Sequence, residues 1–406
     1  MIVTVTLNPA LDLTYAVDAL VPHGTHRVAT VAERPGGKGL NVARVLQALG
    51  EPVLATGLLG GATGARVAHL LTAEGVRSSF VRIGGETRRT VAVVDRTDAT
   101  GFWEPGPTVT PDEWSLFVAE FRELLGPATV VTLSGSLPPG IPIDAYATLI
   151  ALATAAGVPT LLDASGPALL AGLRAAPSLA KPNADELTAI LHAAPTPTSP
   201  APNGATPNAA GPNAASPNAA SPNAGGLNVA SPNAASSNVG GLNVASSNVG
   251  SPNVVRPNVQ SANVRRPGPL GLAEAVRTLA TGPVVVSRGA AGLLAVAGDE
   301  VWECVPPEPV DGNPTGAGDA CVAALARGLR DHTPWPALLP DAVALSAAAV
   351  AAPVAGAFDP DVYRRTRATA TPATSATPAT SATPGTPGTP GTPGTPAGGN
   401  RARSHR

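Results

Sequence analysis

The chain has 406 residues, a formal net charge of −2 and 13% charged side chains, so it lacks the overall basic footprint of a nucleic-acid binder. Aromatics are 3% while Pro (45) and Gly (44) are abundant; setting aside two low-complexity blocks of about 75 and about 40 residues leaves roughly 290, ample for one domain core. No uncharged apolar run of about 18 residues marks a membrane span, the N-terminus enters a strand without a basic leader, and two cysteines (Cys304 and Cys321) make no disulfide framework, which together point to a cytoplasmic protein.

In chain order, Ile2–Leu7 reads as an apolar strand, and the run Thr6-Leu7-Asn8-Pro9-Ala10-Leu11-Asp12 closes it with a carboxylate. Thr14–Glu33 alternates as a β-ribbon. Arg34-Pro35-Gly36-Gly37-Lys38-Gly39-Leu40-Asn41-Val42-Ala43-Arg44 is a glycine turn opening an amphipathic helix through Val42, Val45, Leu46 and Leu49, stopped by Gly50. It lacks the spacing of a Walker A loop. Val53–Gly57 is a strand, Gly64–Glu74 a helix, and Arg88–Trp103 a second ribbon. Strand Thr129–Leu133 runs into Ser134-Gly135-Ser136-Leu137-Pro138-Pro139-Gly140; helix Ile143–Ala156 and strand Thr160–Asp163 follow. Lys181-Pro182-Asn183-Ala184-Asp185-Glu186 opens a helix over Asn183–His192. Helix Leu270–Ala280 and strand Pro283–Ser287 lead to Arg288-Gly289, and the small residues of Ala342–Ala357 read as a buried helix. Repeated βα units imply a three-layer α/β/α fold on a mainly parallel sheet, with ligands at the C-terminal ends of the strands.

Two segments break this pattern and divide the chain. Residues 1–194 and 269–366 carry the α/β units. Between them, 195–268 repeats with a period of five, asparagine recurring from Asn203, Asn208 and Asn213 through to Asn263. Most units offer only Ala or Val beside Pro, too little apolar surface to offset chain entropy, so a disordered surface insert is expected rather than a β-helix. Residues 367–406 repeat Ala-Thr-Pro and Gly-Thr-Pro and read as an extended, disordered tail.

The most informative run is Gly312-Asn313-Pro314-Thr315-Gly316-Ala317-Gly318-Asp319-Ala320-Cys321, which opens a small-residue helix with Arg327 and Arg330 in its last turns. Unpaired amides and the helix dipole favour an anion there, and the two glycines let backbone approach a phosphate. Asp319 then stands where a base is useful, with the amides favouring its ionised form. Taken alone, the run is equally a turn followed by a first-turn helix acid. Cys321 occupies the place of a third glycine, which disfavours dinucleotide binding.

Six of these segments, the runs 6–12, 34–46, 134–140, 181–187, 284–289 and 312–321, resemble in this order the ribokinase/PfkB carbohydrate kinase superfamily, most closely its 1-phosphofructokinase and tagatose-6-phosphate kinase branch. The resemblance implies a ribokinase-like fold with a small β-sheet lid, from roughly 13–35 and 87–105, that often forms a homodimer interface. It implies ATP and Mg²⁺ as cofactors and a sugar phosphate as substrate. Asp319 matches the general base, and the amides of Gly316, Ala317 and Gly318 match the anion hole for the transferring phosphoryl group. Asn183 and Glu186 match the motif that holds Mg²⁺, largely through water; Lys181, Ser287 and Gly289 match nucleotide contacts. Asp12, Gly37 and Asn41 match sugar-binding positions. Lys38 and Arg88 match the cations that grip the phosphate already on the sugar, with Arg27 a weaker third. Pro314-Thr315 replaces the commoner Thr-Val, as in related phosphosugar kinases, and Ala320 stands where serine is common. The activity expected is phosphorylation of fructose 1-phosphate, or else of tagatose 6-phosphate; a non-catalytic sugar-phosphate sensor is the rival from another class.

Overall fold

Strand β1 (Ile2–Thr6) is buried along its whole length, with Ile2 in one hydrophobic core and Val3 and Val5 in the other. Such double burial is what the centre of a parallel sheet demands. The computed structural model of the protein describes residues 1–193, 268–369 and 374–375. After β1 the chain makes β2 (Ala10–Ala16), β3 (Thr30–Gly36), α1 (Lys38–Ala48), β4 (Val53–Gly60), α2 (Gly61–Ala73) and β5 (Ser78–Ile83). Next come β6 (Arg88–Val94), β7 (Ala99–Trp103), α3 (Pro111–Leu125), β8 (Val130–Ser134), α4 (Ala145–Ala155), β9 (Thr160–Asp163) and α5 (Gly166–Arg174). Then follow β10 (Leu179–Ala180), α6 (Ala184–Ala193), α7 (Pro269–Leu279), β11 (Val284–Ser287), β12 (Leu293–Ala297) and β13 (Glu300–Cys304). The chain closes with α8 (Ala317–Arg330), α9 (Trp335–Ala351), α10 (Pro360–Thr369) and β14 (Thr374–Ser375).

Ten strands form one sheet in the order β14-β13-β12-β11-β10-β9-β8-β1-β4-β5. From β11 to β5 every pairing is parallel, and β12 to β14 extend the β11 side antiparallel. Helices α1, α2, α8, α9 and α10 cover one face and α3 to α7 the other, each over its own core. Helix α3 shows how sequence sets such an element: Thr110 and Glu113 form a reciprocal capping box, Pro111 starts the helix, and Phe117 and Phe121 are fully buried. None of the described helices is long and apolar enough to cross a membrane.

A separate four-stranded sheet, β3-β2-β6-β7, is the expected lid. Its first strand starts earlier than the ribbon read from Thr14, because β1 stops at Thr6 and Asp12 lies on β2, in the lid rather than on the central strand, while β6 and β7 keep the bounds Arg88 and Trp103 read for the second ribbon. The small-residue helix also differs. It spans Trp335–Ala351, and beyond it the turn at Ala355 and Gly356 lies against Gly316, the N-cap of α8. Pro353, which disfavours helical backbone in the residue before it, explains that stop. Helix α10 continues to Thr369, and β14 pairs Thr374 and Ser375 with Glu303 and Trp302; the rest of the segment read as a tail lies outside the described residues. The repeat insert lies outside the described residues. Cys304 and Cys321 are both buried and free.

Candidate active site

The site gathers where β1, β8, β9, β10 and β11 end, the place a parallel sheet leaves open to ligands. Helix α8 supplies its centre. Gly316 caps that helix with φ +90, a left-handed conformation that suits glycine. A Cβ on it would lie 2.9 Å from the Ala355 Cα. Asn313 Oδ1 accepts from the Thr315 amide at 2.9 Å, which shapes the turn before the cap. Of the amides that follow, Ala317 donates to the Pro314 carbonyl at 3.2 Å. Those of Gly318 and Asp319 begin the helix without an acceptor among the described residues, as helix geometry requires.

Asp319 is only 7% exposed, and its Oδ2 accepts a 2.8 Å hydrogen bond from Asn41 Nδ2 on α1. Burial, reinforced by the nearby Asp163 carboxylate, pushes its pKa up to about 7. Asn41, Lys38 and Lys181 pull the other way without prevailing. The sequence expectation that helix amides keep this group ionised is therefore overruled by desolvation. A carboxylate poised near neutrality is better matched to taking a proton than an ordinary one.

Around Asp319 lies an ion cluster that the sequence did not single out. Asp163, the last residue of β9 and 1% exposed, has Oδ1 3.3 Å from both Lys38 Nζ and Lys181 Nζ. Lys38 opens α1 just after Gly37, which caps it with φ +114. Lys38 Nζ also approaches Glu186 Oε1 at 3.8 Å. Lys181 is buried beyond β10; desolvation works against its charge, yet Asp163 and the other neighbours more than compensate and hold its pKa above the usual lysine value. Its Nζ lies 3.7 Å from where a Cβ on Gly318 would stand, so a fixed cation borders the helix mouth.

Asn183 and Glu186 cap α6 reciprocally: Asn183 N donates to Glu186 Oε2 at 2.9 Å, and Glu186 N to Asn183 Oδ1 at 2.7 Å. Their oxygens are of the hard kind that Mg²⁺ prefers. With two of them committed to the cap and Oε1 facing Lys38, the pair suits a metal held through water and phosphate oxygens. Among the described residues no group of three or more His, Cys, Asp or Glu side chains forms a metal cluster. Ser287 pairs with Asn183 through an isolated bridge, and its amide donates to the Pro182 carbonyl at 3.0 Å. Gly289 begins a short turn two residues on, with φ +62.

Of the sugar-side candidates, Asp12 and Arg88 lie on the lid's two central strands, and Gly37, Lys38 and Asn41 at the start of α1. Asp12 on β2 is in register with Thr90 on β6. Burial raises its pKa, while the Thr90 hydroxyl and the Arg88 and Arg44 charges oppose that rise. A Cβ at Gly36 would fall 2.1 Å from Asp12 Oδ1, so the glycine makes room for the carboxylate. Arg88 is half-buried and donates to the Asn8 carbonyl (3.1 Å) and the Glu104 carbonyl (3.3 Å). Lys38 and Arg88 thus have separate partners: Lys38 joins the Asp319 cluster and Arg88 stays beside Asp12. Arg27 is exposed in the β2–β3 connection. A strand-final aspartate such as Asp163 carries no local motif; its meaning comes from Lys38, 125 positions earlier, and from Lys181 at the end of the neighbouring strand.

A model of the pfkB family carbohydrate kinases matches residues 5–206 and 242–361, well over half of the chain. Among solved structures, phosphofructokinase-2 from Escherichia coli in complex with fructose-6-phosphate is 26% identical, with a TM-score of 0.66 over 90% of this chain and 98% of that one. A Thermotoga maritima protein described as a possible 1-phosphofructokinase is 22% identical, with a TM-score of 0.65 over 92% of this chain and 99% of that one. At that identity the second likeness is one of fold.

Proposed function

The chain belongs to the pfkB family of carbohydrate kinases, and we propose that it transfers the γ-phosphoryl group of ATP to a ketohexose phosphate, with fructose 1-phosphate as acceptor and fructose 1,6-bisphosphate as product. The observation that carries this reading is the buried Asp319 carboxylate, held by Asn41 at the mouth of α8 with Lys181 alongside. Asp319 takes the proton of the C6 hydroxyl as that oxygen bonds to the γ-phosphorus. The bond from the γ-phosphorus to its bridging oxygen breaks, and ADP leaves with the electron pair. Amides of Gly316 and Gly318, together with Lys181, face the charge spread over the moving group, and that of Ala317 joins them on leaving the Pro314 carbonyl. Asn183, Glu186, Ser287 and Gly289 border the nucleotide, and Mg²⁺ held near Asn183 and Glu186 would neutralise phosphate charge.

Asp12 and Asn41 meet the sugar hydroxyls, and Gly37 lets the sugar approach the backbone. Arg88 is the stronger anchor for the existing phosphate, because its present partners are neutral carbonyls. Lys38 is already paired with carboxylates, so a phosphate must compete for it. Closure of the lid over the sugar would exclude water and limit ATP hydrolysis. Register places the lid's Val31 and Phe102, each 57% exposed, on the face opposite Asp12, and we assign their cover to a second copy of the chain.

Tagatose 6-phosphate is the second acceptor on motif likeness, and the complex of the Escherichia coli relative adds fructose 6-phosphate to the comparison. A coupled assay of ADP release with these three sugar phosphates and with free fructose tests the reading. Fructose 1-phosphate should give the highest kcat/KM. Faster turnover of free fructose would remove the phosphate-gripping role of Lys38 and Arg88. Binding of a sugar phosphate with no stimulated ADP release would make the chain a sensor.

A further inference from the structure

Arg44 lies one turn beyond Asn41 on α1 and is only 8% exposed. A charge buried to that extent needs partners, and it has two sets. Its Nε and Nη2 grip the Glu74 carboxylate at the end of α2 as a fork. Its Nη1 donates to the Ala355 carbonyl at 2.9 Å. The next residue, Gly356, has φ +74, and a Cβ on it would stand 2.5 Å from Arg44 Nη1 and 2.9 Å from Asn41 Oδ1. On its other side the same Ala355–Gly356 peptide abuts Gly316, the cap of the anion-binding helix.

We propose that Arg44 is a positioning residue: by clamping the Ala355–Gly356 peptide between Asn41 and Gly316, it fixes the donor that orients the Asp319 carboxylate and the backbone that opens the anion hole. The proposal rests on the base role given to Asp319 above. Without Arg44 the peptide loosens, Asn41 loses its backing, and its bond to Asp319 weakens. The groups facing Asp319 are Asp163 from β9, Lys38 and Asn41 from α1, and Lys181 after β10. Of these only Asn41 leans on Arg44, so the carboxylate should become harder to ionise.

The test follows the Asp319 carboxyl resonance through pH in chain labelled with 13C at aspartate, the signal being assigned by its loss in Asp319→Asn. Wild type, Arg44→Ala, Arg44→Lys and Glu74→Gln are compared, with kcat and KM measured alongside. In Arg44→Ala the midpoint should rise by about half a unit or more, and kcat should fall about tenfold with sugar KM changed less than about threefold. Arg44→Lys and Glu74→Gln should move the same way by less, and they carry the test if Arg44→Ala does not fold. An unmoved midpoint in the folded variants, with only a lower melting temperature, overturns the proposal. The titration needs no turnover, so a chain that phosphorylates no sugar would defeat the functional reading and leave this test standing.

Discussion

Asn41 and Asp319 are 278 positions apart in the chain, yet Asn41 Nδ2 donates to Asp319 Oδ2 at 2.8 Å. That one bond joins the two glycine-turn helices of the protein and aims its poised carboxylate. Asp319→Asn keeps the shape and removes the proposed base. Turnover should fall by about 10²–10⁴-fold with little change in substrate KM, measured by steady-state kinetics.

The same substitution should stabilise the protein, increasingly so at higher pH. Burial raises Asp319 from 3.8 to about 7 in the folded chain. Between those values the folded state holds a proton that the unfolded state has released, so stability is lost as pH rises through the window and the loss is complete above about 7. Asparagine does not titrate. Its melting-temperature advantage over wild type should therefore be larger at about pH 8 than at about pH 5. An advantage that shrinks with pH would contradict the assigned shift.

Asp163→Asn removes the carboxylate that helps hold Asp319 up and also takes a counter-ion from two lysines. The acid limb of activity should move to lower pH. Stability should drop by about 3–5 kcal/mol in urea, because Lys181 is left buried without its principal partner. A pH profile that stays in place would separate Asp163 from the chemistry.

Two glycines of α8 should respond differently to alanine. At Gly316 the added methyl meets Ala355, and φ +90 is strained for alanine, so both stability and turnover should fall. At Gly318 the nearest atom to the added Cβ is Lys181 Nζ at 3.7 Å, an ordinary contact. Gly318→Ala should melt normally yet lose about tenfold or more in kcat, because the methyl intrudes where the phosphoryl group needs the amides. Equal melting losses in the two variants would argue against this division.

How much of this was legible in the sequence depends on whether a signal is local. The Gly-Gly-Lys-Gly and Gly-Ala-Gly-Asp turns each open a helix, and the structure places both helices at the open ends of the parallel strands. The period-two ribbons identified the lid. The ionisation of Asp319 was misjudged, because helix amides are visible in sequence whereas burial under Asn41 and beside Asp163 is not. Asp163 itself carries no such signal, since Lys38 and Lys181 reach it from other segments. The end of α9 was placed too late because an Ala/Val run carries no period, and the turn at 352–357 has its purpose only against Gly316 and Asn41.

Arg88→Gln tests the phosphate anchor. KM for the preferred sugar phosphate should rise about 10–100-fold, while kcat at saturation changes far less. The response to free fructose should hardly move. Equal losses for both sugars would mean that Arg88 supports the lid through Asn8 and Glu104 instead.

Phe102→Glu places a charge on one of the two exposed apolar side chains that share the lid face opposite Asp12. Sedimentation should show wild type as a dimer and the variant as a monomer at micromolar concentration. A monomeric wild type would leave the lid patch without the partner assigned to it.

The most direct measurement is the pH dependence of kcat/KM for the preferred sugar phosphate, which reports the free enzyme, taken for wild type and for Asp319→Asn. Wild-type kcat/KM should climb with pH through a midpoint near 7, as the Asp319 carboxyl gives up its proton, and the residual rate of the asparagine variant should lack that rise. A wild-type profile flat between about pH 5.5 and 8.5, or a variant that keeps the same limb at a comparable rate, would show that the proton goes elsewhere.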